Sequence, residues 1–487
     1  MGEKLGYRPA LDGVRAVSIA LVIAFHLGAP WLPGGYLGVS VFFTLSGFLI
    51  TSLLLNERQT TGRIDIRAFY VRRLRRLLPA SLLCLAGIAV LASAGTIAAR
   101  ADLRVGVLAA VFQVANWEHL LGHHSYADLF LAPSPIDHFW SLAIEEQFYW
   151  LWPLAIAGIT AAAARRGAKH GRVSTSITTV LIGAFVTLSA SAFATAHWLG
   201  GDAAYFASWA RFAEILAGAA LAAVVANRAL SARVALLAPV CLAAIIVLSV
   251  VTPAGRGWAY GGGLPLFALV SVGLIAGVLV DGPVARLLAR EPIPWIGRIS
   301  YGLYLFHWPV FTLLPSASVV EKLALTLAIT TVSYRFVERP IRSGRWLRGS
   351  VTYLQGAAIA YVTVAACVAA LVPAVQVARR GSAPVVISAR LANAATPSTP
   401  AIATPTRPDR PAPGAHVAAA PAVASPPRPR VVALFGDSIA DWLVRDAAPT
   451  FTRADITLVD AAIEGCDGAV GIPPARGRLG QILPLPS

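Results

Sequence analysis

The chain has 487 residues, of which 57% are hydrophobic and 13% charged, with a mean hydropathy of +0.68; soluble proteins carry about 25% charged residues, so this composition excludes a soluble globular enzyme and indicates a polytopic membrane protein whose first partner is the lipid bilayer. The net charge of +16 would suit a nucleic-acid partner, but the arginines fall in short clusters between apolar runs, as cytoplasmic loops of membrane proteins do. With no basic groove or aromatic platform of the kind that nucleic-acid binding uses, no nucleic acid is expected.

In chain order, Lys4 and Arg8 precede an apolar core and give residues 1–30 the outline of a signal peptide. Arg15 interrupts that outline and a second apolar run follows at once, so the segment reads as an uncleaved first span. A span needs about 20 apolar residues, which predicts eleven spans, near 14–32, 36–56, 77–97, 138–163, 176–199, 204–226, 234–253, 262–281, 298–315, 320–338 and 351–377. If every run crosses, the Arg/Lys-rich segments 2–8, 57–76, 164–175, 227–233, 282–298 and 339–348 share one side. The positive-inside rule then puts the amino terminus in the cytoplasm and the residues after 377 outside. Counting residues 98–137 as another span would reverse every later loop, so that stretch reads as a re-entrant or surface-lying helix buried against protein.

From 380 to 430 the composition turns to Pro, Ala, Thr and Ser without apolar periodicity, which reads as a disordered, extended linker. Next, VVALFGDSIADWL begins like an α/β domain, a short strand run ending in a turn with Gly436, Asp437 and Ser438. Cys84, Cys241 and Cys367 lie in apolar runs and Cys466 in the tail, so no disulfide framework is implied and each reads as a small buried residue.

Ionisable groups inside spans are costly and are functional candidates. Asp12, Arg15 and His26 lie in or beside the first span; Arg15 and His26 share one helix face about 16 Å apart along its axis. In HFWSLAIEEQFYWLWP, His138, Ser141, Glu145 and Phe148 form one face and Glu146 is rotated about 100° away, so Glu145 is preferred over Glu146, the other reading being an acidic helix start that complements the dipole. His307 falls near mid-membrane beside Trp308 and Pro309, either bonded across the bundle or lining a substrate path. Arg72, Arg73, Arg75 and Arg76 are explained by topology alone. His119, His123 and His124 lack accompanying carboxylate or Cys ligands and read as solvent-exposed loop residues, and no metal is expected.

The run LDGVRAVSIALVIAFH followed by GYLGVSVFFTLSGFLIT resembles the opening of the membrane-bound acyltransferase-3 family, whose hallmark is an Arg and a His separated by ten residues on the first span. FYVRRLRRLLPA, HFWSLAIEEQFYWLWP and ISYGLYLFHWPV resemble its later blocks in its order, together covering most of residues 8–340. The resemblance implies an enzyme, an O-acyltransferase moving acetyl groups from cytoplasmic acyl-CoA, used as co-substrate, to hydroxyls of an extracytoplasmic or lipid-linked glycan. It implies a catalytic or acyl-carrying role for His26, a role with the CoA-bound donor for Arg15, and a platform for the CoA phosphates at Arg72, Arg73, Arg75 and Arg76. Chemically, a His26 imidazole can take the proton of a hydroxyl attacking a thioester, or accept the acyl group itself.

GDSIADWL resembles the first block of the SGNH hydrolase-like domains fused to such acyltransferases, in which Ser438 would be the nucleophile. After residue 430 there is no Asn and no His, so the partners that activate a serine are lacking and the tail is expected to be truncated or silent. The expected organisation is an all-α membrane bundle over 8–340, an additional span at 351–377, the linker at 380–430 and an incomplete α/β segment at 431–487. A secondary transporter would show inverted repeats with paired broken helices, which are not found; a non-catalytic scaffold would leave Arg15, His26 and Glu145 dispensable.

Overall fold

The computed structural model describes residues 7–95, 103–122, 126, 133–165, 170–344, 350–371, 430–434 and 456–460. Ser438, His123, His124 and the linker up to residue 429 lie outside the described residues. The chain divides into two units, residues 1–376 and 377–487. In the second unit, strand β1 (Arg430–Leu434) pairs in parallel with β2 (Ile456–Asp460), Arg430 opposite Ile456.

The first unit is helical. Its helices are α1 (Pro9–His26), α2 (Leu37–Thr61), α3 (Ile66–Ser93), α4 (Leu103–Val111), α5 (Ala115–Leu121), α6 (Phe139–Arg165), α7 (His170–Leu199), α8 (Gly201–Phe206) and α9 (Ser208–Asn227), followed by α10 (Leu237–Val251), α11 (Leu264–Val278), α12 (Pro283–Leu288), α13 (Ile293–Arg298), α14 (Ser300–Leu313), α15 (Val319–Ser333), α16 (Arg339–Arg342) and α17 (Ser350–Leu371). Local chemistry sets many of the ends. Asp65 caps α3 by accepting from the Ala68 N–H at 2.8 Å, and Ser318 with Glu321 forms a reciprocal capping box at the start of α15. Gly62, at φ +78°, closes α2 in the left-handed conformation that a side chain disfavours.

Among the described residues, seven helical segments are long and apolar enough to cross a membrane: Pro9–His26, Leu37–Thr61, Ile66–Ser93, Ser176–Leu199, Ser208–Asn227, Ala232–Val251 and Ala259–Val278. The other four expected spans are helical too. Helix α6 has 27 residues but carries Glu145 and Glu146, α14 and α15 have only 14 and 15 residues, and α17 has 22. At 1.5 Å per residue, α14 reaches about 21 Å, short of a hydrocarbon layer of about 30 Å.

Within residues 98–137 the described helices α4 and α5, 9 and 7 residues long, are too short to cross. A buried network holds them. Asn116 Nδ2 donates to Ser208 Oγ (2.9 Å) and to the Phe206 carbonyl (3.0 Å), while Gln147 Nε2 donates to Asn116 Oδ1 (2.9 Å) and to the Gln113 carbonyl (2.9 Å). Irregular backbone at membrane depth is tolerated where protein groups satisfy it in this way. His119 departs from the exposed position expected of it: it is buried, beside the Phe206 ring and 3.3 Å from the Glu118 carboxylate.

Helix α9 lies against α2 at the centre. A Cβ on Gly47 would strike the Ile215 carbonyl, and one on Gly218 would strike the Thr44 carbonyl, so the two backbones approach as closely as small residues allow. Two hydrogen bonds join the turn after α1 to the end of α10: Gly34 N–H to Ser249 O (2.8 Å) and Tyr36 Oη to Pro253 O (3.0 Å). At the other end of α1, Arg8 lies 3.4 Å from the Leu279 carbonyl that follows α11.

Candidate active site

Two neighbouring groups of polar side chains meet inside the bundle. The first lines a partly open cavity and includes Arg15 from α1, Ser46 from α2, Arg73 and Arg76 from α3, and Ser141, Glu145 and Tyr149 from α6. Three guanidiniums face one carboxylate there. Ser46 Oγ donates to Glu145 Oε1 at 2.5 Å, and the Arg73 guanidinium lies 3.4 Å over the Tyr149 ring, an arrangement in which the ring face attracts the cation.

The second group is aromatic and imidazole-rich. His307 of α14 places Nε2 3.0 Å from His26 Nδ1, and the next residue, Trp308, also lies against His26 with ring centroids 4.7 Å apart. His138, at the start of α6, places Nε2 3.0 Å from the Leu305 carbonyl and its ring centroid 5.7 Å from that of His307. Tyr304 joins the two groups. Its Oη is 2.5 Å from Ser141 Oγ and donates to the His138 carbonyl at 3.3 Å, and Tyr304 and Ser141 both line the cavity.

The structure therefore gathers Arg15, Arg73, Arg76, Ser141 and Glu145 at the cavity, with His26, His138 and His307 immediately beyond Tyr304. The basic run divides. Arg72 turns outward to pair with Glu57 at 2.8 Å, and Arg75 lies 4.8 Å from the Tyr353 ring, so only alternate members face the cavity. Asp12 accepts from the Tyr7 hydroxyl at 3.0 Å and is not among the residues lining the cavity. Glu146 faces a separate, small cavity, lined largely by apolar residues of α3 and α4 with Gln113 and Tyr361. Its rotation from Glu145 along α6 accounts for that separation.

Ser46, Tyr149 and Tyr304 are site residues that sequence reasoning did not single out. Ser46 carries no local signal, because a serine in an apolar helix usually bonds its own backbone. Tyr304 was within reach, since it precedes His307 by three residues and so shares its face. A second omission is larger. Arg211 and Glu214 sit fully buried on α9, 2.9 Å apart, with the guanidinium centred 5.1, 5.6 and 4.9 Å from the rings of Phe43, Trp140 and Tyr205. An Arg-x-x-Glu spacing inside an apolar run is the signal that marks such a pair. Among the described residues no group of His, Cys, Asp and Glu could hold a metal ion.

Comparison with known proteins adds a sequence relationship. A family model described as an acyltransferase domain matches residues 8–337. The peptidoglycan O-acetyltransferase OatA of Listeria monocytogenes is 31% identical over 371 residues, covering 72% of this chain and 57% of that protein. YrhL of Bacillus subtilis, a putative peptidoglycan O-acetyltransferase, is 34% identical over 359 residues, covering 69% of this chain and 55% of its own length. The chain thus spans a little over half the length of these curated relatives. No solved structure matches.

Proposed function

Because the chain belongs to the acyltransferase family whose domain covers residues 8–337, we propose that it is an integral membrane O-acetyltransferase that takes acetyl groups from acyl-CoA on the cytoplasmic side and places them on hydroxyls of a glycan outside. The observation that carries this reading is the cavity in which Arg15, Arg73 and Arg76 face Glu145, ending at Tyr304 beside the three histidines. An excess of guanidinium suits phosphate groups or a developing oxyanion, and an imidazole next to it suits proton transfer at the thioester. The relatives' names point to peptidoglycan as their acceptor, and peptidoglycan is the acceptor proposed here.

In the proposed reaction the acceptor hydroxyl oxygen bonds to the acetyl carbonyl carbon and the carbon–sulfur bond breaks. His26 takes the hydroxyl proton, which ends on the CoA sulfur. Arg15, on the same face of α1 about 16 Å away along the axis, holds the anionic part of the donor with Arg73 and Arg76. Labelled-acetyl transfer in proteoliposomes tests the reading: label should pass from acetyl-CoA to the hydroxyls of a peptidoglycan fragment. Absence of transfer to any glycan, with intact protein, would remove it.

We also propose the orientation that the basic loops imply, with the α9–α10 connection in the cytoplasm and the α10–α11 connection outside. Both connections expose alanines, Ala229 and Ala254. In a cysteine-free background in intact cells, Ala254→Cys should be labelled by a membrane-impermeant thiol reagent and Ala229→Cys should be protected; the reverse pattern would invert the topology.

A further inference from the structure

Opposite charges that share a cavity away from bulk water normally pair, because their attraction is strong there. Arg15, Arg73, Arg76 and Glu145 line one cavity, yet among the described residues Glu145 forms no ion pair with any of the three guanidiniums. The carboxylate is tied elsewhere. Ser46 Oγ donates to Glu145 Oε1 at 2.5 Å, at the short end of the range for a hydroxyl bound to an ionised oxygen. Arg73 is also held by a different neighbour, its guanidinium 3.4 Å over the ring of Tyr149, one turn of α6 beyond Glu145. The Ser46 bond is unusual for its position. Hydroxyls inside apolar helices commonly donate to the carbonyl four residues back, as Ser18 does to Val14 O (2.9 Å) and Thr44, two residues before Ser46, does to Ser40 O (3.0 Å). Ser46 instead directs its hydroxyl across the bundle, from α2 to α6.

We propose that Ser46 is a positioning residue: by holding the Glu145 carboxylate away from the guanidiniums, it keeps Arg15, Arg73 and Arg76 open to the phosphates of the acyl-CoA donor. The inference rests on the acyl-CoA reading given above. Released from Ser46, the carboxylate would swing on its two methylenes toward a guanidinium and fill the anion site from within, in competition with the donor. Held by Ser46, it leaves the guanidiniums free but still shares the cavity with the donor's phosphates and repels them. Its charge therefore lowers the affinity for acetyl-CoA and for the CoA left after transfer alike. A limit on how tightly the product is retained serves turnover, because product release must follow each transfer. The three arginines attract, the carboxylate restrains, and the serine fixes the balance between them.

The test measures CoA binding to the full chain in detergent by titration calorimetry, with acetyl transfer in proteoliposomes alongside. Ser46→Ala should weaken CoA binding about tenfold or more, the effect of losing a hydrogen bond to a charged group. Glu145→Gln should tighten it at least about threefold, because the repelling charge is gone. Combining Ser46→Ala with Glu145→Gln should abolish the loss and match Glu145→Gln alone within about twofold, since no carboxylate remains to be released. A serine that merely supported the fold would weaken binding equally in both backgrounds. Thermal unfolding shows which variants are folded; should Ser46→Ala fail to fold, Ser46→Cys, a much weaker donor of similar size, takes its place with the same expected directions. A folded Ser46 variant that binds CoA as wild type does, a loss that persists in the combined variant, or a folded Glu145→Gln that binds no tighter than wild type would each overturn the proposal. A wild-type chain that neither binds CoA nor transfers acetyl groups overturns the acyl-CoA reading instead, so the two failures are distinguishable.

Discussion

His26→Ala should lower acetyl transfer by at least about 10²-fold, the usual contribution of a positioned proton acceptor, while the chain still inserts and folds. The loss falls on chemistry because the imidazole lies against His307 of α14, in the histidine group that Tyr304 joins to the Arg15 cavity. His26 occupies the last turn of α1 and is only half-buried, so its removal leaves the tightly packed part of that helix intact. Donor KM should change little, since Arg15, Arg73 and Arg76 line the cavity and His26 does not. Steady-state kinetics in proteoliposomes with thermal unfolding alongside would check both halves. Near-wild-type turnover in a folded His26→Ala chain would end the catalytic assignment.

The largest effect on stability is expected at the crossing of α2 and α9. Gly218→Ala adds one methyl group, yet that carbon would meet the Thr44 carbonyl and lie 2.8 Å from the Phe48 nitrogen. Neither obstacle is a side chain that can rotate away, so the helices must separate and loosen the apolar contacts along the seam. Overpacking typically costs 1–3 kcal/mol, and obstruction by backbone places this change at about 3 kcal/mol. Gly87→Ala on α3 is the control, because nothing lies within 4 Å of its added carbon. There the better helix propensity of alanine should be neutral or stabilise by about 0.5–1 kcal/mol. Unfolding midpoints in detergent should move in opposite directions, or the first alone should fall; equal midpoints for the two variants would show that the crossing is looser than described.

Much of this arrangement was legible in the sequence. Apolar run lengths located the long helices, and the shortness of the segments around Leu103–Leu121 fits the exclusion of that stretch from the spans on charge grounds. Helical spacing correctly grouped Ser141 with Glu145 and set Glu146 apart, because positions on one helix follow from 100° per residue alone. The pairings between helices were not legible. Nothing in a serine at position 46 says that Glu145, 99 residues later, will bond to it, and the run Arg72 to Arg76 reads as one cluster until a helix distributes it around its circumference. His307 was singled out, but its bond to His26 across 281 residues depends on how α1 and α14 cross.

The caged Arg211 also bears on how this chain is made. On its own, α9 would present an arginine and a glutamate to lipid in its first two turns, where charge insertion is unfavourable by up to the roughly 2.5–3.5 kcal/mol that an arginine costs at a helix centre. Their i, i+3 ion pair offsets part of this, and the rest falls to the aromatic walls. Those walls are Phe43 on α2, Trp140 on α6 and Tyr205 just ahead of α9, all of which leave the ribosome before Arg211 does. The receiving site can therefore be assembled before its occupant is synthesised, and α9 can enter the bilayer against protein rather than bare lipid.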